Sequence, residues 1–281
     1  MTGPPVGRLA DVPSGGPSAA GPAPAAGDHG SLAGAGGEGD AGEGDAVALG
    51  ESFGVPAGVR RVVAPTAGAT RIVLVRHGEA VCNVNGIVGG VRGCTGLTEL
   101  GRRQISALAA RLEVTGEMAG ATALYASVLP RAVETAALLR AVVGEGALEV
   151  AQECALCELH PGESDGLSWQ EVVERFGVPE WDTDPDTVIA PGGESWSGFV
   201  ARASAAVGAL AARHPGELVV AAVHAGVIES TMISFLEIPS ALSRRGWTRI
   251  VHASLTEWEW IPTESRWVLV RFNDACSVPT A

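Results

Sequence analysis

The chain has 281 residues and a formal net charge of −13, and its 19 cationic residues are all arginine. Such an acidic chain is a poor general partner for nucleic acid or an anionic membrane, and no stretch reaches the ~18 consecutive apolar residues of a membrane span. Five irregularly spaced cysteines argue against a disulfide framework, so we expect a cytoplasmic protein with free thiols.

Residues 1–68 are mostly Gly, Ala, Pro and Ser with scattered acidic residues. They offer too little apolar surface to offset the entropy of ordering, so we predict a disordered acidic tail. Residues 69–275 are long enough for one α/β domain, with residues 276–281 as a short C-terminal tail.

The domain opens with an apolar run, Ile72 to Val75, which predicts a strand buried on both faces. The run stops at Arg76, His77 and Gly78. In open α/β sheets, ligands bind at the carboxyl ends of the strands. An imidazole there can attack phosphorus, and a guanidinium can hold phosphoryl oxygens.

The middle of the chain alternates between predicted helices and strands. A Gly-rich connection, residues 86–96, leads to Thr98 as the N-cap of a helix. A strand over 123–126 is followed by a helix that begins near Pro130 and carries Arg131 in its first turn. Residues 148–150 are a third strand candidate, and residues 157–159 a short extended piece.

The last third repeats the opening pattern. Residues 159–192, rich in Gly, Pro, Asp and Trp, resemble a lid-like insertion with one helix near 168–176. A long amphipathic helix over 196–213 precedes a second unbroken apolar strand, 218–223, which ends at His224. Another helix runs to about residue 236, and residues 254–261 and 266–272 form an antiparallel hairpin.

Strands that alternate with helices predict an α/β fold, a three-layer α/β/α sandwich with a mostly parallel central sheet. The carboxyl ends of parallel strands lie at one edge, so Arg76, His77, Arg131 and His224 are expected to converge there. Two arginines and two imidazoles make a phosphate cradle that needs no metal and no cofactor.

Several segments in order resemble the histidine phosphatase superfamily, whose fold is called phosphoglycerate mutase-like. The resemblance spans residues 71 to 274. The segments that carry it are Arg76-His77-Gly78-Glu79 with Asn83, Leu97–Gln104, Ser127–Ala136 around Arg131, Glu158–Gly166, Pro191–Ser195 and Val223–Val227.

The resemblance implies a role for each site residue. His77 is the nucleophile that forms a phosphohistidine, and Arg76, Arg131 and His224 bind the phosphoryl group. Glu158 is the proton donor and then the base that activates water. Asn83 adds a hydrogen bond to the phosphate or leaving group.

Some positions depart from the family pattern or compete for a role. Ala80 replaces the usual hydroxyl residue, Ser164 stands where an aromatic is common, and the 89–96 connection lacks an Asp found in many relatives. Three nearby acids compete with Glu158 as proton donor, and they are Glu153, Glu163 and Asp165. Glu79 and Glu194 are interpreted as structural groups.

Other chemically interesting residues have simpler interpretations. Cys154 and Cys157 have no second pair at ligand spacing and are interpreted as small, partly buried residues, so no metal site is predicted. His160 and His252 are either pocket-lining or ordinary hydrogen-bonded histidines. Three tryptophans are candidates for an apolar wall, and they are Trp169, Trp181 and Trp196.

The sequence thus predicts a metal-independent phosphomonoesterase that acts on a small phosphorylated metabolite. A phosphoglycerate-type mutase is the nearest alternative, but such mutases carry a lysine-containing segment after the acid region and this chain has no lysine. A non-catalytic phospho-ligand-binding regulator is a third, although every catalytic group is present. The sequence leaves open whether the chain forms a homodimer. A dinucleotide-binding oxidoreductase is not favoured, because the Gly-rich turn that such enzymes carry after their first strand is absent here.

Overall fold

The computed structural model describes residues 64–239 and 248–275. Most of the predicted tail, residues 1–63, lies outside the described residues, as do residues 276–281. The proposed division into tail and domain therefore stays a prediction.

Six strands form one central sheet in the order β3-β2-β4-β1-β5-β6. The strands are β1 Thr70–Arg76, β2 Ala121–Ala126, β3 Val150–Gln152, β4 Leu218–Val223, β5 Leu255–Ile261 and β6 Arg266–Asp274. Strand β4 pairs in parallel with both β1 and β2, and β2 pairs in parallel with β3. Strand β5 runs antiparallel to β1, and β6 runs antiparallel to β5. The mostly parallel sheet and its C-terminal hairpin confirm the fold class expected from the sequence.

Six α-helices accompany the strands in the described part of the chain. They are α1 Val81–Val84, α2 Glu99–Thr115, α3 Pro130–Leu139, α4 Trp169–Phe176, α5 Trp196–Arg213 and α6 Ala225–Phe235. The Thr98 hydroxyl caps α2 by accepting from Gly101 N, and Pro130 opens α3, as their positions predicted. Ser168 and Ser195 cap α4 and α5 in the same way.

Alternate residues of the central strands face two separate helix layers. Ile72 and Leu74 pack into a core with α5 and α6, whereas Val73 and Val75 pack into a second core with α2 and α3. All four side chains are fully buried. The unbroken apolar run of β1 is thus explained by a strand that is covered on both faces.

The third strand, predicted over 148–150, is present but shifted to Val150–Gln152. The short extended piece predicted at 157–159 starts with Cys157 in extended conformation and does not join the sheet. Instead, Arg202 on α5 donates to the carbonyl oxygens of Ala155, Cys157 and Glu158, so a side chain satisfies the backbone that a neighbouring strand would otherwise pair.

No helix among residues 64–239 and 248–275 is long and apolar enough to cross a bilayer.

Candidate active site

The register of β1 and β4 places two histidines next to each other. Arg76 pairs with Val223 at the carboxyl ends of these strands, and His77 N donates to Val223 O at 3.0 Å. His77 and His224 therefore follow the strands side by side, with ring centroids 5.2 Å apart. The chain leaves β1 at this point and passes over β4 to reach β2. Such crossover points, at the carboxyl ends of parallel strands, favour ligand binding.

The hydrogen bonds of His77 define its tautomer. Nδ1 lies 2.6 Å from Gly78 O, and because a carbonyl oxygen only accepts, Nδ1 carries the proton. Arg131 Nε donates to Nε2 across 3.1 Å, so Nε2 holds the lone pair. His77 is thus a neutral imidazole whose basic nitrogen is directed toward a guanidinium.

Both predicted phosphate arginines are buried at this point. Arg76 donates from Nη1 to Ile250 O, and Arg131 donates from Nη1 to Gly89 O at 2.6 Å. Each guanidinium is held by a backbone carbonyl and can present its remaining N–H groups elsewhere. A rigidly oriented pair of this kind suits a tetrahedral anion.

Two further histidines surround His77. Ser127 Oγ lies 2.6 Å from His224 Nε2 and fixes the orientation of that ring. The His252 ring centroid lies 5.6 Å from that of His77.

Several buried polar atoms around His77 have no hydrogen-bond partner in the described part of the chain. They are Arg76 Nε, His224 Nδ1, His252 Nε2 and Asn83 Oδ1. Unpaired buried polar groups are costly, and three of these four belong to cationic or imidazole side chains. Their convergence indicates a site built to receive an anion.

Glu158 is the carboxylate of this site. Its Oε2 accepts from Gly226 N at 3.1 Å, in the first turn of α6, and its Oε1 accepts from Leu159 N at 3.3 Å. A methyl group on Gly226 would overlap Glu158 Oε1, so only glycine there allows the carboxylate to approach the helix.

The three competing acids are engaged elsewhere. Glu153 forms an ion pair with Arg213 at 2.7 Å, and Glu163 is exposed. Asp165 accepts from Arg92 N and Gly93 N at 2.8 and 2.9 Å, which ties the insertion to the Gly-rich connection. Of the four acids, only Glu158 lines the cavity beside His77.

That cavity has a volume of about 130 Å³ and two chemically distinct sides. Its polar side is formed by Arg76, His77, Asn83, Arg131 and Glu158. Its apolar side includes the three tryptophans that the sequence suggested, and they are Trp169, Trp181 and Trp196. His224 is fully buried beside His77 and contributes no wall to the cavity, but its Nδ1 is one of the unpaired atoms around His77.

Burial and positive charge keep the imidazoles neutral. Burial, then Arg131, lowers the pKa of both His77 and His224 well below 6.5. The pKa of His252 is lowered to about 3, by burial and then by Arg76 and Arg131. Burial also lowers the pKa of Arg76 to about 10, against the opposing effect of Glu158, and this guanidinium stays charged at neutral pH.

Known proteins are similar to this chain in sequence and in fold. A family model described as "Histidine phosphatase superfamily (branch 1)" matches residues 72–275. The chain belongs to this superfamily. It is 34% identical over 177 residues to a metal-independent phosphoserine phosphatase of Arabidopsis thaliana, covering 61% of this chain and 71% of that protein. A 2,3-bisphosphoglycerate-dependent phosphoglycerate mutase of Bartonella tribocorum is 32% identical over 127 residues, which cover 44% of this chain and 60% of the mutase.

A comparison with solved structures also finds a phosphatase. The chain is similar to a mycobacterial glucosyl-3-phosphoglycerate phosphatase in complex with VO3, with a TM-score of 0.60 and 28% identity over 73% of this chain and 99% of that one. Together with the family match, these relatives support a phosphatase, as the sequence predicted.

Three residues of this histidine phosphatase contribute to the site in ways that the sequence does not predict. The Ser127 hydroxyl, part of the segment around Arg131, orients His224. His252 lies beside His77 because Ala253 N donates to Arg76 O at 3.0 Å. Gly226 donates its N–H to Glu158, and the His-Ala-Gly sequence after a buried strand is the one sequence indication of its role.

The three buried neutral histidines predict a pH-dependent stability. Their pKa values are lower in the folded protein than in the unfolded chain, so the unfolded state binds more protons once the pH falls below about 6.5. Stability is therefore fully present above that pH and is lost as the pH falls. Each histidine adds about 1.4 kcal/mol per pH unit to the slope of the unfolding free energy.

Urea unfolding between about pH 5 and 7 measures this slope. His252→Gln is expected to remove about one histidine's share of the slope. An unfolding free energy that does not change over this range would contradict the assignment of neutral buried imidazoles.

Proposed function

We propose that this histidine phosphatase is a phosphomonoesterase that needs no metal ion and hydrolyses a small phosphorylated metabolite through a phosphohistidine on His77. The observation that carries the proposal is the unprotonated Nε2 of His77, which faces Arg131 at the polar end of a cavity that also contains Glu158. Nucleophile, anion-binding groups and a proton donor are thus present around one small volume.

In the first step, His77 Nε2 attacks phosphorus and the bond between phosphorus and the ester oxygen breaks. The proton stays on Nδ1 because Gly78 O accepts a hydrogen bond from that N–H group. The same contact stabilises the positive charge that develops on the ring. Arg76 and Arg131 neutralise the phosphoryl oxygens, and Glu158 gives its proton to the leaving oxygen. The products are the alcohol and a phosphohistidine.

In the second step, the ionised Glu158 takes a proton from water as the water oxygen attacks phosphorus. The N–P bond breaks, and His77 regains its lone pair at Nε2 while inorganic phosphate is formed. Glu158 ends the cycle protonated, so the groups of the chain return to their starting state. His224, held by Ser127, supplies an Nδ1 position for the phosphoryl group.

The cavity supports a substrate with a compact organic part. A single phosphoryl group meets Arg76 and Arg131, while the rest of the molecule meets the indole rings and aliphatic side chains on the other side. The named relatives act on phosphoserine and on glucosyl-3-phosphoglycerate, both phosphate monoesters. We infer the same chemical class here.

A phosphoglycerate-type mutase is the alternative that some relatives support. It would use the same first step and return the phosphoryl group to an isomer instead of to water. The chain has no lysine to hold a second acidic group of the substrate, and the wall opposite the arginines is mainly apolar. Both observations favour hydrolysis.

Phosphoenzyme trapping in EDTA tests the proposal. We expect the full-length protein to release phosphate from an aryl phosphate, and a rapid quench to trap about one acid-labile, base-stable phosphoryl group per chain. Incubation with 3-phosphoglycerate should yield phosphate and no 2-phosphoglycerate. Turnover that EDTA abolishes, or isomerisation that outpaces hydrolysis, would overturn it.

A further inference from the structure

A second cluster of chemically active side chains lies beside the catalytic acid. Cys154, Cys157 and His160 each offer one ligand atom, and these three atoms lie within 4.8 Å of one another. Within residues 64–239 and 248–275, this is the one such group able to hold a metal ion. It borders a separate hollow of about 140 Å³, and the phosphoryl-transfer chemistry does not use it.

The spacing of the ligand atoms matches a tetrahedral zinc site. Zinc bonds of about 2.3 Å to sulfur and 2.0–2.1 Å to nitrogen require sulfur atoms about 3.8 Å apart and a sulfur–nitrogen distance of about 3.6 Å. Here Cys154 Sγ lies 3.9 Å from Cys157 Sγ and 3.6 Å from His160 Nε2. Two of the distances between ligand atoms therefore match those of a tetrahedral zinc site.

The backbone that carries these ligands is held in place from α5. Arg202 donates to the carbonyl oxygens of Ala155 at 2.8 Å and Cys157 at 3.1 Å, and the same guanidinium is paired with Glu194 at 2.7 Å. The Glu194 carboxylate in turn accepts from His160 N at 2.9 Å. These contacts would lower the entropic cost of assembling the site.

Glu194 also lies close to the imidazole. Its Oε2 is 3.5 Å from His160 Nδ1, while His160 Nε2 is 3.6 Å from Cys154 Sγ. A carboxylate near one ring nitrogen, with the other nitrogen directed at the metal position, is the usual outer-shell arrangement of histidine ligands.

We propose that Cys154, Cys157 and His160 bind one soft divalent cation, of which Zn²⁺ is the best match, with two thiolates and one imidazole as ligands. The fourth position is open to water, and the exposed Cys154 gives the ion a path to the site. The proposal goes beyond the phosphatase activity and does not depend on it. It revises the sequence interpretation, which considered the cysteine pair and His160 separately and missed the spacing Cys-x-x-Cys-x-x-His.

The site would act on the segment that contains Glu158. That residue lies between Cys157 and His160 and lines both hollows, so a bound ion would tie down the backbone on both sides of it.

Metal titration of the full-length protein tests the proposal. Chelator-stripped protein, with its thiols kept reduced, is titrated with Zn²⁺ against a chromophoric chelator, and with Co²⁺ to detect thiolate-to-metal charge transfer. We expect one equivalent of each metal and a cobalt spectrum typical of tetrahedral sulfur ligation. Cys154→Ser and His160→Ala should each weaken Zn²⁺ binding at least about 100-fold. Glu194→Gln should weaken it about 10-fold.

Three matched variants control for binding elsewhere. Cys94→Ser and His214→Ala remove residues of the same types outside the cluster and should leave the affinity unchanged. His77→Ala should also retain the full equivalent, which separates this site from the active-site imidazoles. Failure to bind Zn²⁺ with free thiols, binding that persists in both ligand variants, or loss of binding in His77→Ala would each overturn the proposal.

Discussion

His77→Ala is expected to lower kcat for phosphate release at least about 10⁴-fold, because it removes the atom that forms the covalent bond to phosphorus. The Nε2 atom of the adjacent His224 is already bonded to Ser127, whereas the His77 Nε2 lone pair is directed at Arg131 beside the cavity. Phosphate binding should survive better than turnover, since Arg76 and Arg131 remain.

The matched control is His214→Ala. His214 is a partly buried histidine that bonds to Tyr125 at 2.9 Å and to Glu217 at 2.9 Å. It precedes β4, while His224 follows it, so the two lie at opposite ends of the same strand. We expect this variant to keep wild-type kcat.

Labelled aryl phosphate, quenched in the millisecond range, completes the experiment. Wild type and His214→Ala should retain label on the chain, and His77→Ala should retain none. Label that persists in His77→Ala would show that another residue is the nucleophile.

The convergence of Arg76, His77, Arg131 and His224 was predictable because their positions follow from strand ends. Arg76, His77 and His224 each come directly after or at the end of a buried apolar run, and the parallel pairing of β1 with β4 brings such ends together. Arg131 was predictable from its place at the start of a helix that follows a strand. To predict residues of this kind requires only the local sequence pattern and the usual right-handed connection between parallel strands.

The groups that complete the site depend on long-range contacts that no local pattern contains. His252 lies near His77 because residues 250 and 253 bond to Arg76, more than 170 positions away in the chain. The resemblance favours Glu158 over its neighbours, but the contacts that distinguish these acids, to Gly226, Arg213 and the Gly-rich connection, are all long-range. The sequence likewise could not show what pairs with the backbone at 157–159, where Arg202 rather than a strand satisfies the carbonyl oxygens.

Glu158→Gln is expected to lower kcat about 10³-fold for an alkyl phosphate such as phosphoserine, because glutamine cannot protonate the departing alkoxide. The same variant should lose much less with an aryl phosphate that carries an electron-withdrawing group, since that leaving oxygen needs little protonation. Glutamine keeps one acceptor oxygen, which can retain the hydrogen bond from Gly226 N, whereas its NH2 group cannot accept from Leu159 N. The contrast between the two substrates is therefore the measurement, and it separates proton donation from a structural effect.

Two comparisons sharpen this test. Glu163→Gln changes an exposed acid of the same segment and should leave both substrates unaffected. Gly226→Ala keeps the carboxylate but places a methyl group against Glu158 Oε1 and the buried Phe199 ring. Displacement of the carboxylate should weaken turnover of the alkyl phosphate about 10²-fold and that of the aryl phosphate less, with unfolding in urea as the check on the Phe199 contact. Equal losses on both substrates in Glu158→Gln would assign this carboxylate to orientation rather than proton transfer. A loss confined to the alkyl phosphate, shared by Glu158→Gln and Gly226→Ala, would identify the leaving-group oxygen as the atom that Glu158 serves. It would also show why the first turn of α6 must contain glycine.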